Sequence, residues 1–238
     1  MVRTNQNKKN NKHSKKRKIR YGRIIIFILL LSVILFRIKY EFDKHDKNNI
    51  SEENSKEPEI IIIPDTTIHM SVIGDVMCHS PNYNAAYVAS TGSYDFTPFF
   101  TNIEKYISSA DIAVGNLETT FAGKARGYSG YPMFNSPSEL GTAMKEIGID
   151  VLGTANNHSM DKGYSGVVST LDALDEIGID HMGTARSEEE QNTILVKDVK
   201  GIKIAFLAYT YGTNGITIPK ANSYCINLIN KDLILKHI

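Results

Sequence analysis

The spacing of hydrophobic positions changes several times along the chain. Residues 24–36, IIIFILLLSVILF, form 13 uncharged positions between Arg23 and Arg37. IHMSVIG (68–74) is a short apolar run that ends at glycine, the pattern of a buried strand. Across 98–109, Phe99, Ile103, Tyr106 and Ile107 recur at helical spacing. DIAVGN (111–116) reads as the next strand. SPSELGTAMKEIG (136–148) predicts a helix, with Ser136 and Ser138 as candidate caps, Pro137 in the first turn and Gly148 at its close. IDVLG (149–153) predicts a strand, GYSGVVSTLDALDEIG (163–178) a helix and IDHMG (179–183) another strand. TILVKDVKGIKIAFLAYT (193–210) has the form of a β-hairpin. Strands alternating with helices predict an α/β fold, parallel at its start, with the hairpin adding an antiparallel part to make a mixed sheet.

Two segments nearly repeat. EIGIDVLGTA (146–155) and EIGIDHMGTA (176–185) share a helix stop, a buried strand and a turn. The first continues as Asn156, Asn157, His158 and, after two residues, Asp161. The second continues as Arg186, Ser187, Glu188 and, after one residue, Glu190. A shared scaffold with different loops implies that the first loop's polar residues serve more than the turn. As a loop residue, His158 is expected to contribute little packing.

Charge divides the chain. Residues 1–40 hold 12 of the 27 Lys and Arg, and all 26 Asp and Glu lie after them. The two parts carry +12 and −11, which together give the formal +1. A basic flank before an apolar run fits an uncleaved signal-anchor, a cleaved signal peptide or a buried helix. The run is shorter than the roughly 20 residues of a spanning helix. Snorkelling by Arg23 and Arg37 lengthens it, and no small-residue cleavage site follows. The expected organisation is therefore a basic cytoplasmic segment (1–23), a single-pass signal-anchor (24–40), a polar linker (41–66) and an extracellular domain (67–238). The acidic domain would repel phosphate backbones, which argues against nucleic acid as a partner. Two cysteines, Cys78 and Cys225, fit either two buried thiols or one disulfide.

Three strand ends carry ligand-type residues. Asp75 follows Gly74, with His79 four positions later; Asn116 and Glu118 follow Gly115; the Asn156–Asp161 loop follows Gly153. In open α/β sheets ligands bind outside the carboxyl ends of the strands, so the three loops would converge. Carboxylate, amide and imidazole donors together suit Mn, Fe, Zn or Mg. Two such cations can clamp the attacking and leaving oxygens of a phosphoryl displacement. Each residue also has a plain structural reading. Asp75 and Asn116 serve as turn residues, His79 and Glu118 as surface groups, and Asn156–Asp161 as an Asx turn with a satisfied histidine.

GDVMCHS, GNLETT and NNHSMDKG, in this order, resemble the CapA/PgsA-type poly-γ-glutamate capsule biosynthesis proteins of the calcineurin-like metallophosphoesterase superfamily. FNSPSEL and AFLAYTYGTNG share that look, and the resemblance runs from about Ile68 to Gly212. It implies a layered metallophosphoesterase-like α/β sandwich behind a membrane anchor. It implies metal ligands at Asp75, Glu118 and Asn157, with His79 as a substitute ligand because Met77 stands where the superfamily has histidine. It assigns catalysis to His158, and supporting or substrate contacts to Asn116, Asn156 and Asp161. The superfamily's later Gly-His-x-His-like motif has no counterpart before the chain stops at KDLILKHI, which reads as an amino-terminal part of the family domain. Two functions follow from the resemblance. One is metal-dependent hydrolysis or transfer on an anionic polymer or phosphate-containing substrate during capsule synthesis or export. The other is a non-catalytic subunit that binds polymer or scaffolds the membrane synthase.

Overall fold

In a computed structural model of the chain, residues 21–53 and 65–238 are described, and they fall into two units divided after Pro64. The basic residues 1–20 and the tetra-isoleucine run 60–63 lie outside the described residues.

The described part of the first unit is one helix, α1 (Tyr21–Glu53). Its apolar side chains between Ile25 and Phe36 stand 48–71% exposed. Among the described residues, no helix is long and apolar enough to cross a membrane. The expected linker from 41 is helical through Glu53 instead, since that stretch contains neither glycine nor proline to stop a helix.

The second unit is α/β. Its elements in chain order are β1 (Met70–Val76), α2 (Ser80–Ala86), β2 (Tyr87–Val88), β3 (Ser93–Tyr94), α3 (Thr97–Phe100), α4 (Glu104–Ser108) and β4 (Ile112–Leu117). There follow α5 (Glu139–Glu146), β5 (Val151–Gly153), α6 (Gly163–Ile177), β6 (Asp180–Met182), α7 (Glu188–Asn192), β7 (Leu195–Val199), β8 (Ile202–Phe206) and α8 (Lys231–His237). Strands β1, β4, β5 and β6 form a parallel sheet in that order, which is also chain order. Right-handed crossovers in a sheet built this way all turn the same way, so their helices gather on one face. Phe100, Ile107, Leu140, Met144 and Leu174, one or two from each of α3 to α6, accordingly pack in one core with Ala113, Leu117 and Leu152 of the sheet. The alternate strand residues Ile112, Val114 and Val151 face the other way, against Val199 and Phe206 of the hairpin.

The hairpin β7–β8 forms its own two-stranded sheet. The expected single mixed sheet is thus corrected to a parallel sheet with an antiparallel hairpin stacked on it. The hairpin's two-residue turn, Lys200–Gly201, places both residues at positive φ (53° and 83°), the twist that a tight hairpin requires. The helix expected over 98–109 is two short helices separated by a turn at 101–103. The break changes the buried face: Phe96, Phe100 and Ile107 are buried, whereas Phe99, Ile103 and Tyr106 are exposed. Ser136 and Ser138 are not side-chain caps. The Ser138 side chain makes no cap bond, and Ser136 Oγ bonds Thr119 Oγ1 instead. Both cysteines are free and buried, the first of the two readings of the pair.

Candidate functional site

Two of the strands, β1 and β4, end two residues after their glycines, and β5 ends at Gly153 itself. Gly74 lies inside β1 at a shift in register between Val72 and Asp75. Gly115 lies inside β4, where a Cβ would stand 2.9 Å from Ile73 Cγ1, so glycine lets β1 and β4 approach. As a result Asp75 pairs with Asn116, and Asn116 with Gly153, in one row across the sheet's carboxyl edge.

Side chains link this row. Asn116 Nδ2 donates to Asp75 Oδ1 at 2.8 Å. Asn156 Nδ2 donates to Asn116 Oδ1 (3.2 Å) and to the Leu117 carbonyl (2.8 Å). The same Asn156 folds its own loop, since its Oδ1 accepts from the His158 backbone N–H at 3.0 Å, an Asx turn. Ser159 Oγ accepts from Asn156 N–H (2.8 Å) and donates to the Thr154 carbonyl (2.6 Å). Asn156 is therefore both a turn former and the tie between two strand ends.

His158 is 6% exposed, which corrects the expectation of a loop histidine with little packing. Its ring stands edge-on to Phe134, with centroids 4.7 Å apart. Nδ1 lies 2.8 Å from Asp161 Oδ2, which also accepts from the Phe134 backbone N–H at 2.6 Å. A buried carboxylate on Nδ1 favours the tautomer with its proton there, leaving Nε2 as the acceptor. Burial pushes the Asp161 carboxyl up, and the Phe134 amide and His158 oppose that shift. Nε2 faces Glu118 Oε1 at 4.0 Å and Asn214 Nδ2 at 3.5 Å. Burial first, and the neighbouring Asp75 carboxylate second, raise the pKa of Glu118. Two carboxylates held together in this way accommodate a proton or a cation between them.

The structure thus brings together Asp75, Asn116, Glu118, Asn156, His158 and Asp161. Asn157 joins through Asn214, donating from Nδ2 to Asn214 Oδ1 at 3.2 Å. His79 stands apart. It precedes α2, and its ring also meets Phe134 edge-on, with centroids 5.0 Å apart. Among the described residues, no group of three or more His, Cys, Asp or Glu side chains is placed to hold a metal ion. The neighbouring Asp75 and Glu118 carboxylates are the hard oxygen donors that the site offers. A cavity of about 330 Å³ opens beside Asp75, walled by Ile73, Met77, Phe96, Phe99 and Phe100.

Sequence reasoning missed Phe134 and Asn214. Phe134 carried no signal beyond its place in FNSPSEL. Asn214 did carry one: it precedes Gly215, a turn-forming pair, and adopts φ 49°, unusual for any residue but glycine, asparagine or aspartate.

The second repeat puts its polar residues to structural use. Arg186 pairs with Asp172 (2.8 Å), Asp175 (2.6 Å) and Glu190 (2.6 Å), and Ser187 Oγ accepts from Glu190 N–H at 3.1 Å to cap α7. Glu188 lies exposed in the first turn of α7.

Residues 69–230 match the family model described as "Bacterial capsule synthesis protein PGA_cap". The chain is 24% identical over 174 residues to the capsule biosynthesis protein CapA of Bacillus anthracis, covering 71% of this chain and 41% of that protein. It is 29% identical over 136 residues to the uncharacterized protein y4sH of Sinorhizobium fredii, covering 53% of this chain and 27% of that protein. Over 79 residues it is 34% identical to the uncharacterized protein y4uA of the same organism, covering 31% of this chain and 17% of that protein. The chain spans less than half the length of these relatives. With the family match running through every strand end that carries the site, the chain belongs to the bacterial capsule synthesis protein family PGA_cap.

Proposed function

We propose that the protein acts from the outer side of the cell membrane in making or exporting an anionic capsule polymer of the poly-γ-glutamate kind, alongside synthase and export subunits. The observation that carries a chemical role is the His158 arrangement: a buried imidazole, oriented by Asp161, whose Nε2 faces Glu118 Oε1 at 4.0 Å, with Asp75 beside that carboxylate. Asp75 and Glu118, with the amide oxygen of Asn157, would hold a divalent cation, as in a metallophosphoesterase-like centre. Such a cation supplies Lewis-acid polarisation of a phosphoryl or carbonyl oxygen. Asp161 keeps the His158 proton on Nδ1, so that Nε2 accepts a proton from, or places an imidazolium against, the reacting group. Asn156 and Asn116 hold the two loops in register.

Anchoring rests on α1. A helix that presents apolar side chains on every side between Ile25 and Phe36, after a strongly basic segment, suits a lipid environment, and in the sequence Arg23 and Arg37 flank that apolar stretch. A tag placed after Ile238 should stay with membranes and be removed by external protease on intact protoplasts.

The test of catalysis uses a capsule-forming host that depends on the protein. His158→Gln should abolish polymer while Glu188→Ala leaves it unchanged. Normal polymer yield from a folded His158→Gln protein would sink catalysis and favour the second reading, a polymer-binding or scaffolding subunit. That reading draws on the absence, among the described residues, of a cluster of three ligating side chains.

A further inference from the structure

Asn214 lies 56 residues beyond His158 in a loop of its own, yet its amide touches two residues of the Asn156–Asp161 loop. Its Oδ1 accepts from Asn157 Nδ2 at 3.2 Å, and its Nδ2 approaches His158 Nε2 at 3.5 Å. The loop is built to deliver it. Thr213 is buried and donates from Oγ1 to the Ile216 carbonyl at 2.6 Å, and Ile216 N–H returns a bond to the Thr213 carbonyl at 2.9 Å. The tight turn leaves Asn214 at φ 49°, followed by Gly215 at φ 82°. Asparagine adopts the left-handed region more readily than other non-glycine residues, so the turn holds Asn214 there.

We infer that Asn214 is a positioning residue of the His158 site. Its amide carries a donor to Nε2, the atom that would face substrate, and an acceptor to Asn157. One side chain therefore sets both the hydrogen-bonding state of the imidazole and the direction of the Asn157 amide oxygen. With Asp161 on Nδ1 and Asn214 on Nε2, both ring nitrogens of His158 have a polar partner, which fixes the direction of the ring. At 3.5 Å the Nε2 contact is long, so an incoming oxygen can displace it without first breaking a strong bond. The inference extends the proposed role of His158, but it is read from the imidazole itself and not from polymer yield.

The experiment is nitrogen NMR of the full-length protein in detergent micelles, selectively labelled with ¹⁵N-histidine. The His158 signals are assigned by their loss in His158→Gln. Wild type should show a protonated Nδ1 and an unprotonated, hydrogen-bonded Nε2. Asn214→Gly keeps the backbone conformation and removes the amide, so the Nε2 signal should move toward its unbonded position while Nδ1 stays. Asn214→Asp keeps the size and tolerates the same φ but sets an acceptor against Nε2, so the Nε2 signal should move while the contact to Asn157 is kept. His158 signals unchanged in either variant, with its melting temperature retained, would overturn the inference, as would an Nε2 proton in wild type. If Asn214→Gly fails to fold, Asn214→Asp alone decides. Loss of polymer with unchanged NMR would leave the proposed chemistry standing and remove Asn214 from it; the reverse would do the opposite.

Discussion

Thr154 and Thr184 occupy the same place in the two repeated segments, and their hydroxyls share a 2.7 Å hydrogen bond in the buried seam beside β5 and β6. Thr154 Oγ1 also lies 3.0 Å from the Met182 carbonyl and accepts from Thr184 N–H at 3.2 Å. The repeat thus meets itself where the site loop begins. Thr154→Val should leave buried donors unsatisfied and cost about 1–3 kcal/mol. Thr184→Val leaves Thr154 two of its three partners and should cost less. Denaturant unfolding of both variants checks the order, and equal losses would contradict it.

Gly183 sits in the same seam at φ 104°, where a Cβ would stand 2.6 Å from Ala155 Cβ and 2.9 Å from Ala208 Cβ. Gly183→Ala combines backbone strain with a clash and should cost about 2–4 kcal/mol. Because Ala155 precedes Asn156, the substitution should also weaken any cation binding. Gly178→Ala, also at positive φ (81°) but with nothing within 4 Å, should cost less in the same thermal unfolding assay.

Glu118 gives a pH dependence. Its pKa is raised in the folded protein, by burial first and by Asp75 second. A raised carboxyl pKa means that the folded state takes up a proton more readily than the unfolded chain. The stabilising contribution is therefore full below the unfolded value of 4.5 and lost as pH rises through the raised value. Glu118→Gln mimics the protonated form. It should melt higher than wild type at pH 7, with the difference shrinking toward pH 4. A difference constant across that range would show that the carboxylate pair is not the cause.

A divalent cation between Asp75 and Glu118 would relieve the same repulsion. Millimolar Mn²⁺ or Mg²⁺ should raise the wild-type melting temperature at pH 7, by mass action on the folded state. Asp75→Asn and Glu118→Gln should lose most of that rise, while His79→Ala should keep it, because the His79 ring packs on Phe134 and not on the carboxylates. An equal cation effect in all four proteins would place the ion elsewhere.

His158→Ala should be destabilising as well as inactivating. It removes a buried ring packed on Phe134 and leaves the Asp161 carboxylate, 1% exposed, without its imidazole partner. Leaving a buried carboxylate without one of its hydrogen-bond partners costs about 1–3 kcal/mol or more. The double variant His158→Ala/Asp161→Ala should recover part of that loss in chemical denaturation, because the unpaired charge is gone. A double variant less stable than the single would mean that Asp161 is held mainly by Phe134 N–H.

Period and punctuation in the sequence determined the order of strands and helices in the second unit. They determined the hairpin at Lys200–Gly201, and the three polar loops at one sheet edge. These features are local: alternation, glycine turns and ligand-type residues directly after strands are written within a few positions of one another. The break between α3 and α4 was not legible, because Phe99, Ile103, Tyr106 and Ile107 have helical spacing whether or not the core takes them. Packing kept Ile107 of that set and buried Phe96 and Phe100 in place of the other three. The hairpin's separation from the parallel sheet depended on which sheet face remained uncovered once every crossover helix lay on the other. The site's finish was also nonlocal. His158 gains a partner three residues away in Asp161, but Phe134 and Asn214 reach it from 24 and 56 residues away, through loops whose positions are fixed only when the cores close. Local patterns can name the residues that a strand end offers; which of them meet, and which pack on a phenyl ring as His79 does on Phe134, is decided by contacts between distant segments.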